Sequence, residues 1–336
     1  MNKQKAADVY GRPDRSRPKS KGYDAGLFIQ DEYAINPYLT LTPVLRWSYY
    51  NRKPTTDNND KFGLASRSDS KVTPGITLTL SPSKQLSFYA SVQTGYRPPF
   101  LDELYTSIEY PEFGMYSVVL PNPDLKPEES INVEIGVNGD YKSLFSDSDR
   151  FVFHANVFRD RVKNLINAGA TGDMDFTDDG DMILYYSIDN VGKALKTGFE
   201  TSADYYPGNA DFHLSYGYLH AEDKNTGEKI PGLTPMQATL RAGYTYKPWN
   251  VNGWYRMRLF KGGKSNLETA WNSGEYKQLG GFATHTLGLT WKPQIKDWAD
   301  FTLTFSVDNI TNKKFRYLNG GYGVGRSYRA WLSATF

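Results

Sequence analysis

The chain has 336 residues, a formal net charge of +2 and no cysteine, which excludes disulfides, thiolate metal sites and cysteine nucleophiles. The near-neutral charge argues against a nucleic-acid partner, because such a partner requires a concentrated basic face. The mean hydropathy is −0.59, and no apolar run approaches the roughly 18 residues that a membrane-spanning helix needs.

Apolar and polar residues alternate with a period of two along most of the chain, which predicts β-strands rather than amphipathic helices. Each alternating segment is roughly 10 residues long, the length of a tilted transmembrane strand. The pattern predicts about 13 strands, at 23–35, 39–52, 70–81, 85–96, 129–140, 150–163, 183–206, 210–222, 233–247, 250–260, 281–293, 299–309 and 326–336.

The connections between these strands alternate between short and long. Short turns are predicted at 36–37, 81–83, 207–209 and 248–249, and long loops at 53–69, 97–128, 164–182, 223–232, 261–280 and 310–325. Bacterial outer-membrane barrels have short periplasmic turns and long extracellular loops. The alternation therefore predicts that the long loops face the outside of the cell.

The last predicted strand ends the chain at Phe336. Tyr328, Ala330, Leu332, Ala334 and Phe336 point to one face of it. A soluble β-sandwich also has strands with a period of two, but its strands are seldom so long, so many and so aromatic. The sequence therefore favours an all-β fold, a transmembrane antiparallel β-barrel in contact with the lipid bilayer.

Several segments together resemble the TonB-dependent outer-membrane receptors. They are 27–50, the strand that carries Asn190, Gly198 and Glu200, the segment 307–315, and the closing strand. The resemblance implies a barrel of about 22 strands around an N-terminal plug. The chain would supply its C-terminal strands, without the plug or the segment that engages the TonB complex.

The first 22 residues contain no apolar segment of the kind that a secretion signal carries. We therefore expect the chain to be the C-terminal piece of a longer protein. Residues 1–22 are predicted to be a loop or a disordered start, and residues 23–336 the C-terminal portion of the receptor barrel.

The segment 96–138 is similar to the haem and haemoprotein branch of that family. This branch carries two short boxes on either side of an extracellular loop, which correspond here to Tyr96-Arg97-Pro98-Pro99 and Asn122-Pro123-Asp124-Leu125. In the branch, a histidine between the boxes is implicated in haem capture. Here the corresponding context is Tyr110-Pro111-Glu112-Phe113, and no histidine lies between the boxes.

This departure leaves two interpretations open. Tyrosinate is a competent axial ligand for ferric haem, so Tyr110 could replace the histidine as the contact with the haem iron. Alternatively, the loop recognises another ligand, and its prolines only stiffen it. The predicted ligand-binding residues of the loop are Tyr110, Arg97, Tyr105, Tyr116 and Asn122.

The resemblance implies a receptor that takes up haem, or haem from haemoproteins, with energy delivered by TonB. Haem would be a transported ligand, and no permanent cofactor or enzymatic activity is expected. The alternatives are a receptor for ferric siderophores and, from another class, an outer-membrane pore or enzyme.

Overall fold

The computed structural model describes residues 19–54, 64–112, 115–190, 192–268, 275–293 and 299–335, with backbone alone at 108–112, 115, 168–170, 172 and 268. The first strands are β1 (Ser20–Gln30), β2 (Tyr33–Asn36), β3 (Leu39–Pro54), β4 (Arg67–Ser83), β5 (Leu86–Arg97), β6 (Ile108–Glu112), β7 (Met115–Leu120), β8 (Glu128–Lys142), β9 (Asp149–Lys163) and β10 (Ile166–Phe176). They are followed by β11 (Met182–Asn190), β12 (Lys193–Pro207), β13 (Ala210–Asp223), β14 (Met236–Tyr246), β15 (Val251–Phe260), β16 (Gly263–Glu268), β17 (Tyr276–Leu279), β18 (Phe282–Trp291), β19 (Asp300–Asp308) and β20 (Ser327–Thr335). Helix α1 (Leu101–Tyr105) and a 3₁₀ turn (Lys247–Trp249) complete the elements. Among these described residues, no helix is long and apolar enough to cross a membrane.

The main sheet has 14 strands in the order β1-β3-β4-β5-β8-β9-β12-β13-β14-β15-β18-β19-β20, with β2 beside β3. Neighbouring strands are antiparallel throughout. The predicted all-β architecture is confirmed, and each predicted segment overlaps a strand of this sheet. The expected division of the chain at residue 22 stays a prediction. Phe336, where the last predicted strand ends, lies outside the described residues.

Two predicted strands are each divided in the structure. The segment 23–35 is broken after Gln30 into β1 and β2. The segment 183–206 is two strands, β11 and β12, that belong to different sheets. Gly192 between them has a φ of 118°, a conformation that residues with a side chain rarely adopt. The prediction of one continuous strand over 183–206 is therefore wrong.

Three of the predicted long loops contain regular secondary structure that the sequence did not predict. The connection 97–128 contains α1, β6 and β7, and the connection 164–182 contains β10. The strands of these connections, together with β11, form a second sheet of four strands in the order β10-β11-β7-β6. A further hairpin, β16–β17, lies in the connection 261–280.

The outer face of the main sheet is a continuous apolar band. Ile135 and Val157 are cross-strand partners in β8 and β9, and 59% and 56% of their surfaces are exposed. The same face exposes Leu78, Leu80, Phe88, Leu214, Leu240, Leu289 and Phe305. Exposed apolar surface on this scale is typical of a face that lipid covers.

The opposite face of the sheet carries polar side chains that bind one another. Asn252 Nδ2 donates to Asp211 Oδ1 at 3.0 Å, and Asp211 also forms an ion pair with Arg241. Arg256 Nη2 lies 3.2 Å from Asp308 Oδ1. Cationic side chains are costly toward lipid, so this face lines the lumen.

Aromatic residues gather at the end of the sheet that carries the short turns. In the turn between β8 and β9, Phe145 is 70% exposed and packs edge-on against Tyr205 at a ring distance of 5.7 Å. The Asp149 carboxylate accepts hydrogen bonds from the backbone N–H groups of residues 144, 145 and 146 at 2.8–3.0 Å and so fixes this turn. Aromatic girdles of this kind mark the membrane interface in outer-membrane barrels.

Candidate functional site

The four-stranded sheet is built from two connections at the end of the barrel that carries the long loops. Strand β7 pairs antiparallel with β6 and parallel with β11, and β11 forms a hairpin with β10. A small core of Leu104, Tyr105, Leu125 and Ile166 lies beneath it, with Leu64, Leu101 and Ile188 packed around this core. The two connections therefore form one body.

Arg97 ties this body to the barrel wall. Its guanidinium donates to both oxygens of Glu128 at 2.6 and 2.8 Å and to both oxygens of Glu103 at 2.9 and 3.0 Å. Glu128 also accepts the N–H of Ile166 at 2.9 Å, at the start of β10. All three charged side chains are partly buried. In this structure, Arg97 therefore joins β5, α1 and β8 and already has two carboxylate partners.

Tyr105 ends helix α1 and points inward. It is 1% exposed, and its hydroxyl lies 3.1 Å from the carbonyl oxygen of Arg52 and 3.0 Å from that of Ala65. Burial raises the pKa of Tyr105 to about 12, which disfavours the phenolate that iron would need. The contact of Tyr105 with a ligand stays a prediction, and the burial of its side chain counts against it.

Two asparagines hold the second box against the strand β11. Asn122 Nδ2 donates to the carbonyl oxygen of Ile188 at 3.0 Å and to Asp189 Oδ1 at 2.5 Å. Asn190 accepts the N–H of Lys126 at 2.8 Å and donates to the carbonyl oxygen of the same residue at 2.9 Å. Asn122 thus has a full set of partners within the chain, and its predicted contact with a ligand stays a prediction.

Tyr110 and Tyr116 lie in the small hairpin β6–β7. Tyr110 is opposite Ser117, and Tyr116 is opposite Pro111 on one side and Ile183 on the other. Strand β6 is the last strand in the order of this sheet, so Tyr110 lies on an edge strand. The side chain of Tyr110 lies outside the described part of the chain, and its assignment as an iron contact stays a prediction. Tyr116 is half-buried at the centre of the sheet.

Arg52 is a structural residue of this region that the sequence analysis missed. It is 6% exposed. Its guanidinium donates to both oxygens of Asp24, at 2.8 and 3.1 Å, and to the carbonyl oxygen of Pro99 at 3.3 Å. A buried arginine needs such partners, and here they connect β1 and β3 to the first box. The pairing joins residues 28 positions apart, which no local pattern reveals.

The histidines each have a partner on their own or a neighbouring strand. His154 lies 2.7 Å from Asn138, His213 2.8 Å from Asp204, His220 3.3 Å from Glu222, and His285 2.5 Å from Tyr255. Within the described ranges, no group of three or more His, Asp or Glu side chains could hold a metal ion.

An antiparallel sheet with an apolar outer band, a polar inner face and long ordered connections at one end defines an outer-membrane β-barrel of Gram-negative bacteria. The chain belongs to the TonB dependent receptor-like, beta-barrel family, whose model matches residues 2–310. The family resemblance seen in the sequence is thereby confirmed.

Curated relatives place the chain near receptors for haem. It is 24% identical over 294 residues to the Heme/hemopexin utilization protein C of Haemophilus influenzae (strain 86-028NP), a match that covers 83% of this chain and 38% of the relative. It is 25% identical over 347 residues to the TonB-dependent heme receptor A of Haemophilus ducreyi, which covers 95% of this chain and 46% of that protein. The chain thus spans less than half the length of these relatives.

A solved structure shows the same fold. The hemophore receptor HasR of Serratia marcescens, described in complex with its hemophore HasA and heme, superposes with a TM-score of 0.66 at 18% identity. The match covers 96% of this chain and 52% of that one.

Proposed function

We propose that the chain is part of a TonB-dependent receptor that takes up haem, free or from a haemoprotein, with Tyr110 in contact with the iron. The observation that carries the proposal is the position of Tyr110 on the edge strand of the small sheet, between the two boxes. The names of the two curated relatives, a heme/hemopexin utilization protein and a heme receptor, support this choice of substrate.

The residues around Tyr110 would act by positioning the hairpin β6–β7. Arg97 fixes the chain before the hairpin through Glu103 and Glu128. Asn122 and Asn190 fix the chain after it. Binding to such a hairpin costs less conformational entropy than binding to a flexible loop, because the protein segment is already ordered by folding.

In this proposal the two boxes hold the site and do not bind the haem themselves. Their polar groups are occupied by the chain: Arg97 by two carboxylates and Asn122 by β11. The porphyrin ring of haem would contact the hairpin, and the phenolate oxygen of Tyr110 would coordinate the iron. No bond in the ligand is broken, and transport would be driven through the TonB complex.

The test is a titration of the receptor in detergent with haem, followed by the Soret band. Wild type is expected to shift the band, and the Tyr110→Phe variant, which removes only the phenolic oxygen, to bind at least about tenfold more weakly. Tyr38→Phe, on the exposed turn between β2 and β3 at the far end of the barrel, is the matched control. No Soret change with wild type would refute haem uptake and favour a siderophore.

A further inference from the structure

A cavity of about 470 Å³ lies at the loop end of the barrel and is lined by residues outside the small sheet. Its walls come from the end of β13, the connection to β14, and the segment that begins β16. Backbone hydrogen bonds fix these walls: Leu219 N–H donates to the carbonyl oxygen of Pro235 at 3.0 Å, and Gly232 N–H to that of Lys264 at 3.0 Å. The volume is within the range of roughly 300–1,000 Å³ that small-molecule sites occupy.

The charge on the cavity wall is predominantly positive. Lys229, Lys261 and Lys264 line it, against the single carboxylate of Glu228. Lys264 lies 4.0 Å from Glu228. No ion pair joins Lys229 or Lys261 to a carboxylate in the part of the chain that the structure describes. Two ammonium groups are therefore available to an anion.

The rest of the cavity wall combines apolar and polar side chains. Tyr218, Leu219, Leu233 and Pro235 contribute apolar surface, beside the polar groups of His220 and Gln278. Apolar walls with a few converging polar groups are typical of a site for an amphipathic molecule. Inorganic phosphate would use only the lysines, whereas a ring system that carries carboxylates would use both kinds of surface.

We propose that this cavity is a second binding site, which takes the carboxylate-bearing edge of a porphyrin, with Lys229 and Lys261 binding the carboxylates. The inference rests on the proposed function, since it assumes a porphyrin ligand, but it does not involve Tyr110 or the iron. The two sites would use different groups of a porphyrin, its carboxylates at the cavity and its metal at Tyr110.

The test uses metal-free protoporphyrin, because it isolates the carboxylates from the iron. Binding to the receptor is measured by quenching of porphyrin fluorescence. The Lys229→Gln/Lys261→Gln variant is expected to bind about 25-fold more weakly, about fivefold for each lysine. Lys224→Gln is the matched control, since Lys224 belongs to the same connection but pairs with Glu222 at 2.6 Å and does not line the cavity.

A diester of the porphyrin, which has lost both negative charges, should bind wild type and the double variant equally. Equal affinity of wild type and double variant for the free acid would overturn the cavity site, and so would competition by inorganic phosphate at the same concentration as porphyrin. If either result overturns the cavity site but wild type still shows a Soret shift with haem, the proposed function is unaffected. If the affinity for protoporphyrin depends on the two lysines but Tyr110→Phe leaves haem binding unchanged, the cavity site is supported and the iron contact is refuted.

Discussion

Replacing Arg97 by methionine should release the small sheet from the barrel wall while the barrel itself stays folded. Methionine keeps an unbranched apolar stem but removes four hydrogen bonds to Glu103 and Glu128. The two carboxylates then remain partly buried and close together without a cation. Glu103 still accepts the N–H of Phe100 at 2.7 Å, which does not compensate a charge.

The size of the effect follows from how far the three side chains are buried. Removing one partner of a fully buried ion pair costs about 3–5 kcal/mol. Here Arg97 is 33% exposed, and the two glutamates are 20% and 16% exposed, so water screens part of the charge. We therefore expect a cost of about 2 kcal/mol, which raises the population of the open small sheet about 30-fold.

The assay is limited proteolysis or amide hydrogen exchange of the receptor in detergent, read at residues 101–128. The matched control is Arg150→Met at the opposite end of the barrel. Arg150 also binds a carboxylate with two nitrogens, that of Asp140 at 2.6 and 2.8 Å, but the side chains are 49% and 45% exposed. Water screens such an exposed pair, so we expect its loss to leave exchange at residues 101–128 unchanged. Equal exchange at 101–128 in wild type and Arg97→Met would refute the role given to Arg97.

Three further changes test other parts of the structure. Asn190→Ala removes both hydrogen bonds to Lys126, so the Lys126 amide should exchange at least about tenfold faster. Unchanged exchange would contradict the role of Asn190 in holding the segment that follows the second box. Tyr105→Phe should lower the free energy of unfolding in a urea titration by about 1 kcal/mol, because the Tyr105 hydroxyl binds buried carbonyl oxygens. The Soret shift with haem should be unchanged. Loss of that shift would show that Tyr105 contacts the ligand. Gly198→Ala should reduce the heat-modifiable folded fraction on gels, since a Cβ there would collide with the carbonyl of Tyr218; a full folded yield would argue against that close approach.

The barrel was predictable from the sequence because lipid and lumen impose opposite demands on alternate residues. A spanning strand must present apolar side chains outward at every second position, as Ile131, Val133 and Ile135 do in β8. Successive connections of an antiparallel barrel lie at opposite ends of it. Their alternation between short and long therefore also distinguished the two ends of the barrel.

The small sheet was not predictable, because its strands pair over long distances. Strand β6 contains Pro111, and β10 contains Gly169, Gly172 and two aspartates, which are poor strand signals. Asn122 meets Ile188 across 66 positions. The sequence could name Arg97 and Asn122 as candidates, but it could not show that both are occupied by the chain itself.

The parallel pairing of β7 with β11 has a consequence for folding. The two strands lie on opposite sides of the β8–β9 hairpin in sequence, so the loop that their contact closes becomes short once β8 and β9 have paired. Contacts between distant segments are entropically costly until the intervening chain has folded. We therefore expect the hairpin that carries Tyr110 to be the last part of this region to fold. A folded hairpin would then indicate that the barrel wall beneath it has already formed.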